Sequence, residues 1–240
     1  MTALNRLQIT WRAAQDIEDG AVVNLGLGLP VHCSDYLRED IDVVIQSENG
    51  VVGAGPLATP EAIDTDLVDA SSRRITLRPG ATVIDSAASF AMIRGGHIDV
   101  TILGAFEVAE NGDLANWDMG VAGRAPLVGG AMDLAACARE VRVVMEHVTR
   151  QGASRLLRTC ALPLTAVGCV KRVYTDLAVI DVTPKGFVVR EIVDGLSGQD
   201  LQAKTGARLS FAPDCGRLSA PPISSFESPH ALRGSAEKTA

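Results

Sequence analysis

Apolar positions along this chain change their period several times, and each change marks an element. In residues 3–19, ALNRLQITWRAAQDIED, the residues Leu4, Leu7, Trp11, Ala14 and Ile17 recur near helical spacing, and Gly20 suits a helix stop. Residues 21–25, AVVNL, read as a buried strand that runs into a glycine turn. Pro30 then fits the first turn of a helix over residues 30–37. IDVVIQ (41–46) is a second short strand. Residues 57–74 lose periodicity, with Pro60 and three aspartates, and read as loop and short turns. SAASFAMIR (86–94) is helical and stops at Gly95 and Gly96. IDVTILGA (98–105) is the cleanest buried strand.

Residues 106–130 form a long irregular stretch with five glycines. Loops of that length inside a compact domain are usually functional or disordered. AMDLAACA (131–138) starts a helix directly after Gly129 and Gly130, and EVRVVME (140–146) is a strand. CVKRVYTDLAVIDV and GFVVREIV alternate around Thr-Pro-Lys-Gly, which predicts a hairpin. SGQDLQAKTG (197–206) is a capped short helix. Beyond residue 210 the chain is rich in Ser, Pro and Ala and carries no core pattern, so a domain over 1–210 with a mobile tail over 211–240 is expected. The alternation of helices with Val/Ile-rich strands predicts an α/β fold. Its open, mainly parallel sheet would carry helices on both faces and a C-terminal hairpin.

Composition narrows the function. Hydrophobic residues make up 47% and charged residues 21% of the 240, as in an ordinary globular domain; aromatics are only 4%. A net charge of −7 argues against nucleic acid or an anionic membrane as partner. Any anionic ligand must then be held by local donors or by another chain. Five cysteines, in no C-x-x-C pair or zinc spacing, and the lack of a signal peptide favour a reducing cytoplasm. No run reaches the roughly 18 apolar residues of a membrane span. No metal spacing or nucleophile elbow is present, and the four histidines fall in no paired motif. Glu146 and His147, at a strand end, read as a solvated pair rather than an acid–base pair. Trp117 reads as a loop anchor.

Ligands of open α/β sheets collect at the carboxyl ends of strands. Three glycine-rich corners follow strands here: 26–30, 50–56 and the region up to Gly129 and Gly130. GLGLP (26–30) lacks the third glycine of a dinucleotide fingerprint, so it reads as a tight turn before a helix N-terminus. VVIQSENGVVGAG is close to the recipe for a β-hairpin, with Asn49 and Gly50 as a two-residue turn. A carboxylate beside such a turn is commonly just solvated. Against that, the stretch from Gly53 to Pro56 does not alternate as a hairpin arm should. A carboxyl group wedged among close turns meets both donors and a partly dry environment. Glu48 therefore has two readings, the shoulder of a turn or a chemical actor.

Several segments together resemble one family, the B-type subunit of 3-oxoacid coenzyme A transferases. They are VNLGLGLP (23–30), QSENGVVGAGP (46–56), RGGHIDVTILGAFEV (94–108), GDLANW (112–117), GGAMDLA (129–135), LPLTAVGCVKRVYTDLAVIDV (162–182) and LQAKTGARL (201–209). CVKRVYTDLAV looks closer to the 3-oxoadipate branch than to the acetoacetate branch. Ile45, Ala54 and Arg155 depart from the family pattern without touching the motif's glutamate.

The resemblance implies a CoA-transferase fold and a site shared with an A-type subunit. It implies Glu48 as covalent nucleophile and backbone oxyanion donors at Gly129 and Gly130. Substrate and CoA contacts would fall at Gly26, Gly28, Asn49, Gly50, Gly53 and Gly55. Coenzyme A would be a substrate, with no permanently bound cofactor and no metal. Two alternatives remain open on the residues: an acyl-CoA hydrolase on the same fold, and a non-catalytic scaffold chain for which Glu48 is dispensable.

Overall fold

The computed structural model describes residues 2–120, 125–126 and 129–223. In chain order its elements begin with helix α1 (Arg6–Gln15), strand β1 (Val22–Leu25) and a 3-10 helix (Pro30–Tyr36). Strands β2 (Val44–Gln46), β3 (Val51–Leu57) and β4 (Ile75–Val83), helix α2 (Ser86–Arg94) and strand β5 (Val100–Gly104) follow. Then come β6 (Glu107–Ala109), β7 (Leu114–Ala115), α3 (Ala131–Cys137), β8 (Glu140–Val144) and β9 (Leu156–Leu157). The last are β10 (Val170–Tyr174), β11 (Ala178–Thr183), β12 (Gly186–Val193), α4 (Gly198–Ala203) and β13 (Leu209–Leu218).

One ten-stranded sheet carries the fold, in the order β13-β12-β11-β10-β8-β5-β1-β2-β3-β4. Its middle, from β10 through β8, β5 and β1 to β2, is parallel throughout. Antiparallel neighbours extend it on both sides, and β13 runs parallel to β12 at one edge. The central strands read as continuous apolar runs because they are covered on both faces: Val23, Ile102, Val143 and Val173 are all fully buried. Helix α1 packs with the 3-10 helix, and α2 packs with α3. A small second sheet, β7-β6-β9, stands apart.

Local chemistry explains the boundaries. Asn5 caps α1 in a reciprocal box with Gln8, and Asp85 and Ser197 cap α2 and α4. The helix expected over 3–19 is only its middle, since Asp16 already leaves helical geometry. Asp16 then accepts from Arg12 at 2.7 Å, Arg172 at 2.9 Å and the Tyr174 hydroxyl at 2.8 Å, which docks the end of α1 on β10. The segment after Pro30 is a 3-10 helix, not an α-helix. Its Ser34 hydroxyl bonds back to Val31 O at 2.8 Å, an i−3 contact suited to the tighter turn.

Four further expectations change. The loop after 57 is followed by an unanticipated strand, β4, whose mostly exposed face and interior Pro79 and Gly80 hide any alternation. The irregular stretch 106–130 contains β6 and β7, and Asn116 Nδ2 ties it to Gly104 O at 3.0 Å; residues 121–124 and 127–128 lie outside the described residues. CVKRVYTDLAVIDV is two antiparallel strands, broken where the Thr175 hydroxyl accepts from Leu177 N and Ala178 N. The turn at Pro184 and Lys185 is the expected hairpin, with Thr183 facing Gly186. Finally β13 crosses residue 210 and continues to Leu218, where the sequence suggests tail; residues 224–240 lie outside the described residues.

His147 is fully buried rather than solvated. Its Nε2 lies 2.9 Å from Thr205 Oγ1, whose own proton goes to Leu201 O. Thr205 therefore accepts from Nε2–H, and the Thr175 hydroxyl, 3.0 Å away, donates to Nδ1. A neutral imidazole satisfies both threonines and joins the ends of β8, β10 and α4. Burial first, and Lys204 second, push its pKa down from 6.5 to about 4. The unfolded chain takes up this proton at higher pH than the folded one. The contribution is therefore complete above about pH 6.5 and is lost as pH falls toward 4, amounting to about 3 kcal/mol. Urea unfolding midpoints should fall across that window, and His147→Gln should flatten the dependence. A wild-type midpoint that stays level from pH 6.5 to 4 would contradict this.

Candidate active site

The chain order places a crevice before any side chain is considered. From β1 the connection leads to β2 on one side, while β5 lies on the other. Their carboxyl ends part at a topological switch point, the usual ligand position of an open α/β sheet. Gly26 leaves β1 there, and Ser47 leaves β2.

After Gln46 the chain reverses. Ser47 N donates to Val51 O at 2.8 Å, and Gly50 N donates to Ser47 O at 2.9 Å. Glu48, Asn49 and Gly50 thus form a three-residue hairpin loop between β2 and β3. The two-residue turn expected at Asn49 and Gly50 is one residue too short. Gly50, at φ +116°, closes the loop, and a Cβ there would lie 2.0 Å from Ile84 O. The missing alternation beyond Val52 has a cause as well, because β3 pairs β4 with two register shifts.

A buried polar network supports the turn from beneath. Asn24 Nδ2 donates to Gln46 Oε1 at 2.5 Å, and Gln46 Nε2 donates to Ser89 Oγ at 2.7 Å. Gln46 Nε2 and Ser89 Oγ both approach Ser47 O, at 3.3 and 3.4 Å. Asn24, Gln46, Ser47 and Ser89 are all buried. Satisfied networks of this kind hold one geometry, since any partial arrangement strands a polar group in a dry interior.

Glu48 itself is half-buried. Its carboxyl group lies directly against Gly130, where α3 begins. A Cβ added at Gly130 would sit 2.0 Å from Glu48 Oε2 and 3.1 Å from the Phe90 ring. Among the described residues no hydrogen bond or ion pair reaches the Glu48 carboxyl. Burial, and then the like charge of Asp133 in the first turn of α3, push its pKa above the ordinary glutamate value. Asp133 is itself paired with Arg94 at 2.7 Å, whose guanidinium lies 5.5 Å from the Phe90 ring centroid.

Glu48 and Gly130 are therefore the expected site residues that the fold brings into contact. Gly53 and Gly55 face β4, where a Cβ would meet Ala81 and Thr76. Gly26 packs on β5, donating to Ile102 O at 2.8 Å. Gly28, at φ +82°, and Gly129 have open space around them. The exposed Asn49 turns its side chain to Val68 O at 2.8 Å. Trp117 anchors its loop through Nε1 to Leu164 O at 3.2 Å. Phe90, Asp133 and the network residues Asn24, Gln46 and Ser89 join the site only in the folded chain. The one signal for Asp133 in the sequence is an acidic residue in the first turn after Gly130.

The arrangement joins a desolvated carboxylate, a glycine cradle at a helix start and the carboxyl ends of parallel strands. A family model described as coenzyme A transferase matches residues 6–203. The B-type subunit of the 3-oxoadipate CoA-transferase of Pseudomonas putida is 48% identical over 206 residues, covering 86% of this chain and 96% of that protein. The B-type subunit of the probable succinyl-CoA:3-ketoacid coenzyme A transferase of Bacillus subtilis is 45% identical over 202 residues, covering 84% and 93%. In fold, the acyl-CoA transferase apoenzyme of Escherichia coli O157:H7 is similar with a TM-score of 0.69 at 20% identity; 90% of this chain aligns, spanning 43% of that longer chain. With most of its length matched by the family model and nearly half its residues shared with such relatives, this chain belongs to the coenzyme A transferase family.

Proposed function

We propose that the chain is the B-type subunit of a 3-oxoacid CoA-transferase in which Glu48 carries the acyl activation. The observation that carries the reading is the placement of the Glu48 carboxyl. It is half withdrawn from water, bonded to no donor among the described residues, and pressed against Gly130 at the switch point of the sheet. A solvated turn residue has no reason to accept that desolvation, whereas a nucleophile gains basicity from it.

Exchange of CoA between two acids conserves one thioester, so the enzyme must store the activation without ATP. In the proposed scheme a Glu48 oxygen attacks the carbonyl carbon of the acyl-CoA, and the C–S bond breaks. A mixed anhydride and free CoA thiolate result. The thiolate then attacks the Glu48 carbonyl carbon and expels the first carboxylate, leaving a glutamyl–CoA thioester. The acceptor acid runs both steps in reverse, completing a ping-pong cycle. A serine ester would be too stable to return CoA, and a cysteine would lack the anhydride route. Each step passes through a tetrahedral oxyanion, for which backbone donors at Gly129 and Gly130 fit the start of α3. Water must be excluded, because anhydride and thioester both hydrolyse.

A half-buried carboxylate open on one side suits a crevice completed by a second polypeptide. Both relatives are named as one subunit of a two-subunit type, which supports an A-type partner. An acidic chain leaves much of the CoA phosphate binding to that partner. The 48% relative's name favours 3-oxoadipate over acetoacetate as acceptor, with succinyl-CoA as donor, and we place the enzyme in the cytoplasm.

Three outcomes are expected in the complex with the A-type partner. Glu48→Gln abolishes exchange, and mass spectrometry of the unaltered complex treated with acyl-CoA finds CoA on the peptide containing Glu48. Near-normal turnover of that variant would sink the scheme. Gly130→Ala keeps an ordinary helical backbone, φ −67°, but displaces the Glu48 carboxyl, so turnover falls at least about tenfold with little change in melting temperature. Because the pKa of Glu48 is raised, the rate falls with decreasing pH from above the ordinary carboxylate range. Asp133→Asn moves that acid limb to lower pH without removing it, since burial remains the larger cause. An unmoved limb in that variant would exclude Asp133 as a source of the shift.

A further inference from the structure

A strap over residues 67–75 grips the nucleophilic turn from the side opposite the buried network. Ala70 N donates to Ser47 Oγ at 2.9 Å, and Asn49 Nδ2 donates to Val68 O at 2.8 Å. The residues before and after Glu48 are thus both bonded to one short segment. That segment is itself a tight reversal. Val68 bridges Arg74, Ser72 N donates to Asp69 O at 2.9 Å, and Ser72 takes a positive φ of 61°. Asp69 Oδ1 accepts from both Ser71 N and Arg73 N at 2.9 Å.

Arg73 fixes this reversal to the rest of the molecule. Its Nε donates to Asp69 Oδ2 at 2.7 Å, and Nη1 reaches both oxygens of Asp35 at 3.2 and 3.4 Å. Nη2 donates to Val31 O at 3.2 Å and to Ser34 Oγ at 3.0 Å. The five donors of the guanidinium meet five acceptors, a set that a lysine ammonium cannot supply. The side chains of Arg73, Asp35 and Asp69 are 18%, 5% and 8% exposed, so water does not substitute freely for these bonds. Val31, Ser34 and Asp35 belong to the 3-10 helix that follows the corner at 26–30. One side chain therefore ties the glycine corner after β1 to the turn after β2, the two sides of the crevice.

We propose that Arg73 is a positioning residue for Glu48. Through the strap it fixes Ser47 and Asn49, and with them the approach of the Glu48 carboxyl to Gly130. The inference rests on the reading of Glu48 as nucleophile. Arg73 touches no reacting atom; it sets where the reacting oxygen stands. A displacement of the order of 1 Å at such an atom costs up to about a hundredfold in rate.

The test measures formation of the Glu48–CoA adduct in the complex with the A-type partner, well below the melting temperature of each variant. Arg73→Gln is expected to lower the adduct rate at saturating acyl-CoA about tenfold, with little change in KM. Arg73→Lys, which cannot serve Asp69, Asp35 and the 3-10 helix together, should recover only part of the loss. Ser47→Ala removes one grip while leaving the Arg73 cluster whole, and should cost about threefold. An assembled Arg73→Gln complex with an unchanged saturated rate, or with a change in KM alone, overturns the proposal. If Arg73→Gln fails to assemble, Ser47→Ala decides, and an unchanged rate there overturns it. No adduct on Glu48 in the unaltered complex sinks the nucleophile reading and this inference together. An adduct in the unaltered complex with undiminished variant rates sinks only the inference.

Discussion

A carboxyl group half removed from water, with no donor among the described residues and a second carboxylate nearby, is a costly thing for a fold to hold in place. The surroundings of Glu48 are arranged around that cost. The hairpin loop fixes its backbone, the network from Asn24 to Ser89 fills the space beneath, and Gly130 leaves the only volume its carboxyl needs. Each feature by itself reads as ordinary packing. Together they keep a group at a position it would leave if the chain were free to relax, which is the character of a site rather than of a turn.

The fold was legible where burial imposes a single period. Residues 86–94 form the expected helix, and β5 lies inside the expected strand 98–105, because both have a face or a whole surface committed to the core. It was illegible at the sheet edges. β4 and β13 each expose most of their residues and carry Pro and Gly within the strand, so neither shows a two-residue period. Pairing with β3 and β12 decides those strands, and a partner's hydrogen bonds leave no mark on a single sequence. The break between β10 and β11 escaped notice for a related reason. Thr175 makes its turn through side-chain bonds to the backbone, with no glycine or proline to announce it.

At the site, the two readings of Glu48 were set against each other, and the structure supports the premises of both. Asn49 and Gly50 do belong to a hairpin, and the carboxyl beside them is nonetheless partly dry. The conflict came from assuming that a hairpin tip faces water. This tip faces α3, which lies more than eighty residues further along the chain. Gly130 and Asp133 were near at hand in the motif GGAMDLA, but their contact with the turn follows only from the sheet order, in which β8 is reached through β5. The strap was wholly hidden. Asp69 and Arg73 sit in a stretch with no periodicity, and their worth depends on Asp35 being brought to them from another segment.

The electrostatics around Glu48 also balance two demands that pull apart. Attack on a thioester requires an ionised carboxylate, whereas burial and Asp133 both favour the protonated form. Left unopposed, Asp133 would push further in that direction, but its charge is shared with Arg94 at 2.7 Å. Arg94 is more exposed than Asp133, with side chains 62% and 27% accessible, so solvent screens the cation more than the anion. The pair therefore leaves a residual negative field on the buried side. That residue of field is enough to make the Glu48 oxygen more basic than one in water, yet it need not hold the proton on at neutral pH. A carboxylate that is both ionised and poorly solvated is the stronger nucleophile, and its anhydride or thioester, once formed, carries no charge to be repelled. The same repulsion that raises the free carboxylate in energy is relieved when it reacts, so Asp133 favours the covalent state without touching it.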